Sequence, residues 1–184
     1  MALIFFLTGP PAAGKTTLSV ALLKRFEFGI HVPVDDLREW VVSGIAHPTE
    51  WTEETVKQFR LAEETACDMA IRYQDAGFAV AIDHCQGPPI LDKLIEERLA
   101  GRAVIKIAVV PKLEVNLARN MARTNKNFDC SFLNQTIERL NPLYSTEPIH
   151  EQGWIVFDNS KDDVEEAVDQ LMVIVNRSLS DKSS

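Results

Sequence analysis

Apolar residues along the chain fall into two alternating patterns. Short unbroken runs at 2–7, 78–82 and 154–157 have the length of buried strands. The stretches 28–34, bounded by Gly29 and Pro33, and 103–110, alternating around Lys106 and stopped by Pro111, complete a set of five. Between them the apolar period changes to three and four. Leu18, Leu22 and Phe26 define a helix from 15 to 25. Val56, Phe59, Ala66, Met69, Ala70 and Tyr73 define a long one from 52 to 76, closed by Gly77. Further helices are predicted from Asp35 to about Gly44, from Pro88 to 99, within 113–141 around a polar stretch at 124–129, and along Val164, Val168, Leu171 and Val175. The polar end, 178–184, is expected to fray. Strands alternating with helices predict an α/β fold of three layers, a mostly parallel five-stranded sheet with helices on both faces.

Such a sheet places ligands at the carboxyl ends of its strands. The first end reads Gly9-Pro10-Pro11-Ala12-Ala13-Gly14-Lys15-Thr16-Thr17, which is G-x-x-x-x-G-K-[ST] between a buried strand and a helix start. Glycines let backbone N–H groups converge on phosphate oxygens, and the helix N-terminus favours the negative charge. Lys15 is then expected on the β- and γ-phosphates, and the Thr16 hydroxyl on Mg²⁺. A plain glycine turn would explain Gly9 and Gly14 but not Lys15 followed by Thr16.

Composition narrows the partner. The chain has 184 residues, 46% hydrophobic and 25% charged, the size and balance of one globular domain spanning 1–184. Nineteen Lys and Arg against 27 Asp and Glu give a net charge of −8. That balance disfavours nucleic acid, whose binding rests on basic patches, and favours a small substrate. Cys67, Cys85 and Cys130 are odd in number and form no C-x-x-C pair, which speaks against a disulfide framework and against a zinc site, and for a reducing compartment. The first apolar run stops at Thr8, too short to span a bilayer, so a cytoplasmic protein without membrane attachment is expected.

Two further strand ends carry carboxylates. Asp83 closes the run 78–82 and suits a Mg²⁺ ligand beside nucleotide phosphates; its ordinary alternative is to cap the next turn. Asp35 and Asp36 follow the second strand. A phosphoryl transferase needs a group that takes the proton of the acceptor hydroxyl, and Asp35 is read as that base. Asp36 is left as helix cap or secondary substrate contact. Trp40, His47, Trp51, His84 and Cys85 are candidates for an acceptor pocket, although packing explains each tryptophan equally well.

Val34-Asp35-Asp36-Leu37-Arg38 resembles the D-x-x-R element of P-loop kinases in the group of polynucleotide 5′-kinase, zeta toxin and chloramphenicol phosphotransferase. The resemblance covers most of the chain: the 9–17 loop, Asp83 and an arginine-bearing helix follow in the same order. It implies Asp35 as general base and Arg38 as substrate anchor. It also implies a small helical lid over about 113–141, in which Arg119 contacts the nucleotide and Arg123 neutralises the transferring phosphoryl. Asn159 would touch the adenine. Arg119 and Arg123, four apart, would share one helix face; solvated surface arginines are the alternative. The neighbourhood 40–51 lacks the extra basic residues that phosphorylated acceptors demand in zeta toxins and polynucleotide kinases.

The expectation is therefore an ATP- and Mg²⁺-dependent kinase acting on a hydroxyl of a small molecule. A GTPase is disfavoured because Asn125-Lys126-Asn127-Phe128 carries Phe128 where guanine recognition needs Asp, and Asp83 to Gly87 misses D-x-x-G by one position. Two alternatives stay open: a nucleotide-binding module without turnover, which would leave Asp35 and the lid arginines without a purpose, and a polynucleotide 5′-hydroxyl kinase.

Overall fold

A computed structural model describes residues 2–47, 50–123, 133–146, 149–161 and 163–181. Five strands, β1 (Ile4–Thr8), β2 (Gly29–Pro33), β3 (Ala79–Asp83), β4 (Val104–Val109) and β5 (Trp154–Phe157), form one sheet in the order β2-β3-β1-β4-β5, with every pairing parallel. Seven helices accompany them among the described residues: α1 (Lys15–Leu23), α2 (Val34–Glu39), α3 (Glu53–Asp75), α4 (Pro88–Arg98), α5 (Leu113–Met121), α6 (Leu133–Thr146) and α7 (Val164–Asp181).

The central position of β1 follows from its composition. Five consecutive apolar or small residues leave neither face fit for water, and all five are buried. Phe5 and Leu7 join Leu18 and Leu22 of α1 and Val168 and Leu171 of α7 on one face. Ile4 and Phe6 join Ala66 and Ala70 of α3 and Leu91 and Leu94 of α4 on the other. The two-residue period of the strand thus supplies both cores.

Three expectations shift. The helix opening after β2 stops at Glu39 rather than near Gly44, because residues 40–46 fold back onto α3. Gln58 donates to the Gly44 carbonyl at 2.8 Å and accepts from the Ala46 N–H at 2.9 Å. On α3, Val56 is exposed, and the buried stripe runs instead through Thr55, Phe59, Ala62, Glu63 and Ala66. The final helix persists to Asp181: Leu179 packs on the core, and the Ser180 hydroxyl donates to the Asn176 carbonyl. The start of α3 matches expectation, with Thr52 and Thr55 capping each other reciprocally. No helix among the described residues is long and apolar enough to cross a membrane.

Candidate active site

The loop between β1 and α1 owes its shape to its glycines. Gly9 has φ 149° and Gly14 φ 90°, and Ala12 adopts φ 60° between them. Gly14 is the N-cap of α1, with no side chain capping that end. The first N–H groups of the helix are therefore presented at the carboxyl end of the central strand. Lys15 lies at the first position of α1, its ammonium donating to the Gly9 and Pro10 carbonyls at 3.0 and 3.1 Å.

Asp83 ends β3, the neighbour of β1. Its Oδ2 accepts from the Thr16 hydroxyl at 2.9 Å and meets His31 Nε2 at 2.7 Å. Burial alone would raise the Asp83 carboxyl. The His31 hydrogen bond, the charge of Lys15 and the Thr16 hydroxyl outweigh it and hold the group below its ordinary value, as a carboxylate. Two hard oxygen donors side by side at a phosphate-binding loop match the ligand chemistry of Mg²⁺, and Thr16 and Asp83 would hold that ion. His31 carried no signal in the sequence beyond its place in β2, two residues before Pro33; only the pairing of β2 with β3 brings it to Asp83.

On the far side of the loop, Asn159 donates to the Ala13 carbonyl at 2.8 Å, and Arg119 donates to the Asn159 carbonyl at 2.8 Å. Asn116, unnoticed in the sequence, donates to the Pro11 carbonyl at 2.9 Å. Side chains from α5 and from the end of β5 thus fasten a loop some hundred residues upstream.

Lys15, Thr16, Asp83, Asp35, Arg38, Arg119, Arg123 and Asn159 all line one cleft of about 1260 Å³, as do Pro11, Ala12, Gly14 and Thr17. Gly9, Pro10 and Ala13 are buried behind it. Arg123 stands beyond the end of α5, so the shared helix face expected for it and Arg119 does not form, although both reach the cleft. Asp35 and Asp36 occupy the first turn of α2, whose N-cap is Pro33. Asp36 is exposed and outside the lining, and neither aspartate caps the helix.

Arg38 is buried. Its guanidinium lies 3.9 Å from the Phe59 ring centre and donates to the Ala46 carbonyl at 2.8 Å, while its Nε has no hydrogen-bond partner among the described residues. Phe59 and Trp51 stack at 5.2 Å and extend this wall. Of the acceptor-pocket candidates, Trp51 and Cys85 line the cleft; Trp40 and His47 are exposed outside it.

His84 is not at the cleft surface. It is 1% exposed, with Nε2 2.8 Å from Oε1 of the buried Glu63. Burial would lower its pKa, yet the Cys85 and Glu63 side chains raise it to about 9. The near-guanine motif at 125–128 and Cys130 lie outside the described residues.

A family model, chloramphenicol phosphotransferase-like protein, matches residues 2–153. The chain belongs to this family. The match falls within the group of P-loop kinases that the D-x-x-R element resembles, and the kinase-like fold with its P-loop is that of a phosphotransferase family. No curated protein sequence matches the chain. Among solved structures, the fold is similar to a Janibacter sugar kinase, at TM-score 0.68 and 16% identity over 96% of this chain and 95% of that one. It is similar to shikimate kinase from Bacteroides thetaiotaomicron, at TM-score 0.64 and 19% identity over 95% and 98%. Gluconokinase from Sinorhizobium meliloti gives TM-score 0.65 and 16% identity over 98% and 97%.

Proposed function

We propose that the chain transfers the γ-phosphoryl group of ATP to a hydroxyl of a small molecule, with Asp35 as general base. The observation that carries this reading is the convergence of Lys15, Thr16, Asp83 and Asp35 on one cleft, with Arg38 on the same wall. The 9–17 loop and Lys15 bind the triphosphate, Arg119 and Asn159 brace the loop beside the nucleotide, and Arg123 faces the transferring group. Bound at Thr16 and Asp83, Mg²⁺ would offset charge on the β- and γ-phosphate oxygens. Arg38 anchors the acceptor, whose oxygen would satisfy the free Nε donor. Asp35 takes the hydroxyl proton as that oxygen bonds to the γ-phosphorus and the bond to the β-phosphate oxygen breaks, releasing ADP. The net charge of −8 supports a small acceptor over an oligonucleotide, and three cysteines without C-x-x-C spacing support a reducing compartment such as the cytoplasm.

Coupled ADP release against a panel of hydroxylated small molecules tests this, with chloramphenicol, named by the family, first, and an oligonucleotide bearing a 5′-hydroxyl included. Asp35→Asn is expected to lower kcat by about 10² to 10⁴ while leaving ATP affinity within about twofold. Turnover unchanged in Asp35→Asn would remove Asp35 from the mechanism. The absence of transfer to any acceptor would favour a nucleotide-binding module.

A further inference from the structure

Asp35, on α2, and His84 and Cys85, directly after β3, bring three different donor types together. One carboxylate oxygen, one ring nitrogen and the thiol sulfur lie within 4.8 Å of one another. A tetrahedral ion holds such ligands about 3.5 Å apart, an approach within the side-chain freedom of the two partly exposed members, Asp35 and Cys85. Oxygen, nitrogen and sulfur together suit zinc-class cations and not Mg²⁺, which takes oxygen ligands.

The histidine supplies an independent observation. Its ring is almost wholly buried and Nε2 is held by Glu63, so the nitrogen left for the cluster is Nδ1. That atom is buried and makes no hydrogen bond of normal length, with the Cys85 side chain as its neighbour. An orphan buried imidazole nitrogen is costly, and a partner is expected for it. A buried carboxylate behind one ring nitrogen, with the other facing a thiol and a carboxylate, is the arrangement by which proteins orient a metal-binding histidine.

We propose that Asp35, His84 and Cys85 form a three-ligand site for a thiophilic divalent cation of the zinc class, separate from the Thr16 and Asp83 pair, with its fourth position open to the cleft. Binding forms a sulfur–metal bond as the Cys85 thiol proton leaves to solvent, together with any proton on Nδ1; no electrons are exchanged. The ion occupies the Asp35 carboxylate and so stops phosphoryl transfer. This consequence rests on Asp35 being the base, whereas the binding does not.

The test uses the full chain, freed of metal and kept in excess Mg²⁺, titrated with Co²⁺ as a coloured stand-in for Zn²⁺. The expected result is one equivalent bound with a thiolate-to-cobalt charge-transfer band that Zn²⁺ then bleaches. Cys85→Ser, shown to be folded by circular dichroism, loses the band, and Glu63→Gln weakens Co²⁺ binding by about 10- to 100-fold. Should Glu63→Gln fail to fold, Cys85→Ser decides alone. Absence of the band, or its survival in Cys85→Ser, overturns the site. Zn²⁺ bound at one equivalent with transfer undiminished would leave the site standing and overturn the role of Asp35.

Discussion

Replacing Gly9 by alanine separates two costs that glycine substitutions usually mix. Gly9 has φ 149°, and a Cβ built there would fall inside the contact distance of the Val109 carbonyl oxygen, with the carbonyl carbon at 3.2 Å. Val109 is backbone of β4, hydrogen-bonded between β1 and β5, so it cannot move aside without disturbing the sheet. Gly101 provides the comparison, with φ 76° and nothing within 4 Å of its Cβ position. Gly101→Ala therefore carries conformational strain alone, about 1–2 kcal/mol. Gly9→Ala carries similar strain plus overpacking against rigid backbone, a further ~1–3 kcal/mol. Urea denaturation followed by circular dichroism, with a common slope, should give a lower midpoint for Gly9→Ala than for Gly101→Ala, by the equivalent of ~1–3 kcal/mol. Gly9→Ala should also weaken ATP binding, since relief of the clash displaces the start of the loop. Equal midpoints for the two variants would refute the reasoning.

Asn159→Ala removes the hydrogen bond that holds the Ala13 carbonyl, worth about 1 kcal/mol; the melting temperature should fall by about 2–4 °C, and calorimetric ATP affinity should fall because the loop is no longer held in place. Burial pushes the Cys67 thiol up to about 12, so alkylation at pH 8 followed by mass spectrometry should leave Cys67 unmodified while the partly exposed Cys85 reacts. The same shift has a stability consequence. Between about pH 9 and pH 12 the unfolded chain ionises this thiol and the folded chain does not, so stability should fall as pH rises, and Cys67→Ala should flatten that decline.

The sheet was legible because three of its strands are continuous apolar runs and the other two are marked by Gly29, Pro33 and Pro111, and the loop because residue types and spacing at 9–17 form a local pattern. Asp83 could be placed for the same reason, as the polar residue that ends a buried run. What stayed hidden were pairings between separated segments. His31 meets Asp83 only through the β2–β3 register, Phe59 meets Arg38 through the packing of α2 on α3, and Glu63 meets His84 through the packing of α3 beside β3. Periodicity assigned Val56 and Phe59 to one face, but the buried stripe is rotated to take in Thr55, Gln58 and Glu63, polar side chains whose partners lie in other segments or in the helix cap. The early end of α2 goes with side chains that hold the folded-back segment, Gln58 on Gly44 and Ala46 and Arg38 on Ala46.

Strand order also bears on how such a protein can diversify. The loop, Lys15 and Thr16 sit on the central strand, where any shift would propagate through two neighbours and both cores. Asp35, Arg38 and the segment after them hang from β2, an edge strand paired with β3 alone. Insertions or substitutions there disturb one seam of the sheet, so under the proposed function the side of the cleft assigned to the acceptor can change at less structural cost than the loop on β1.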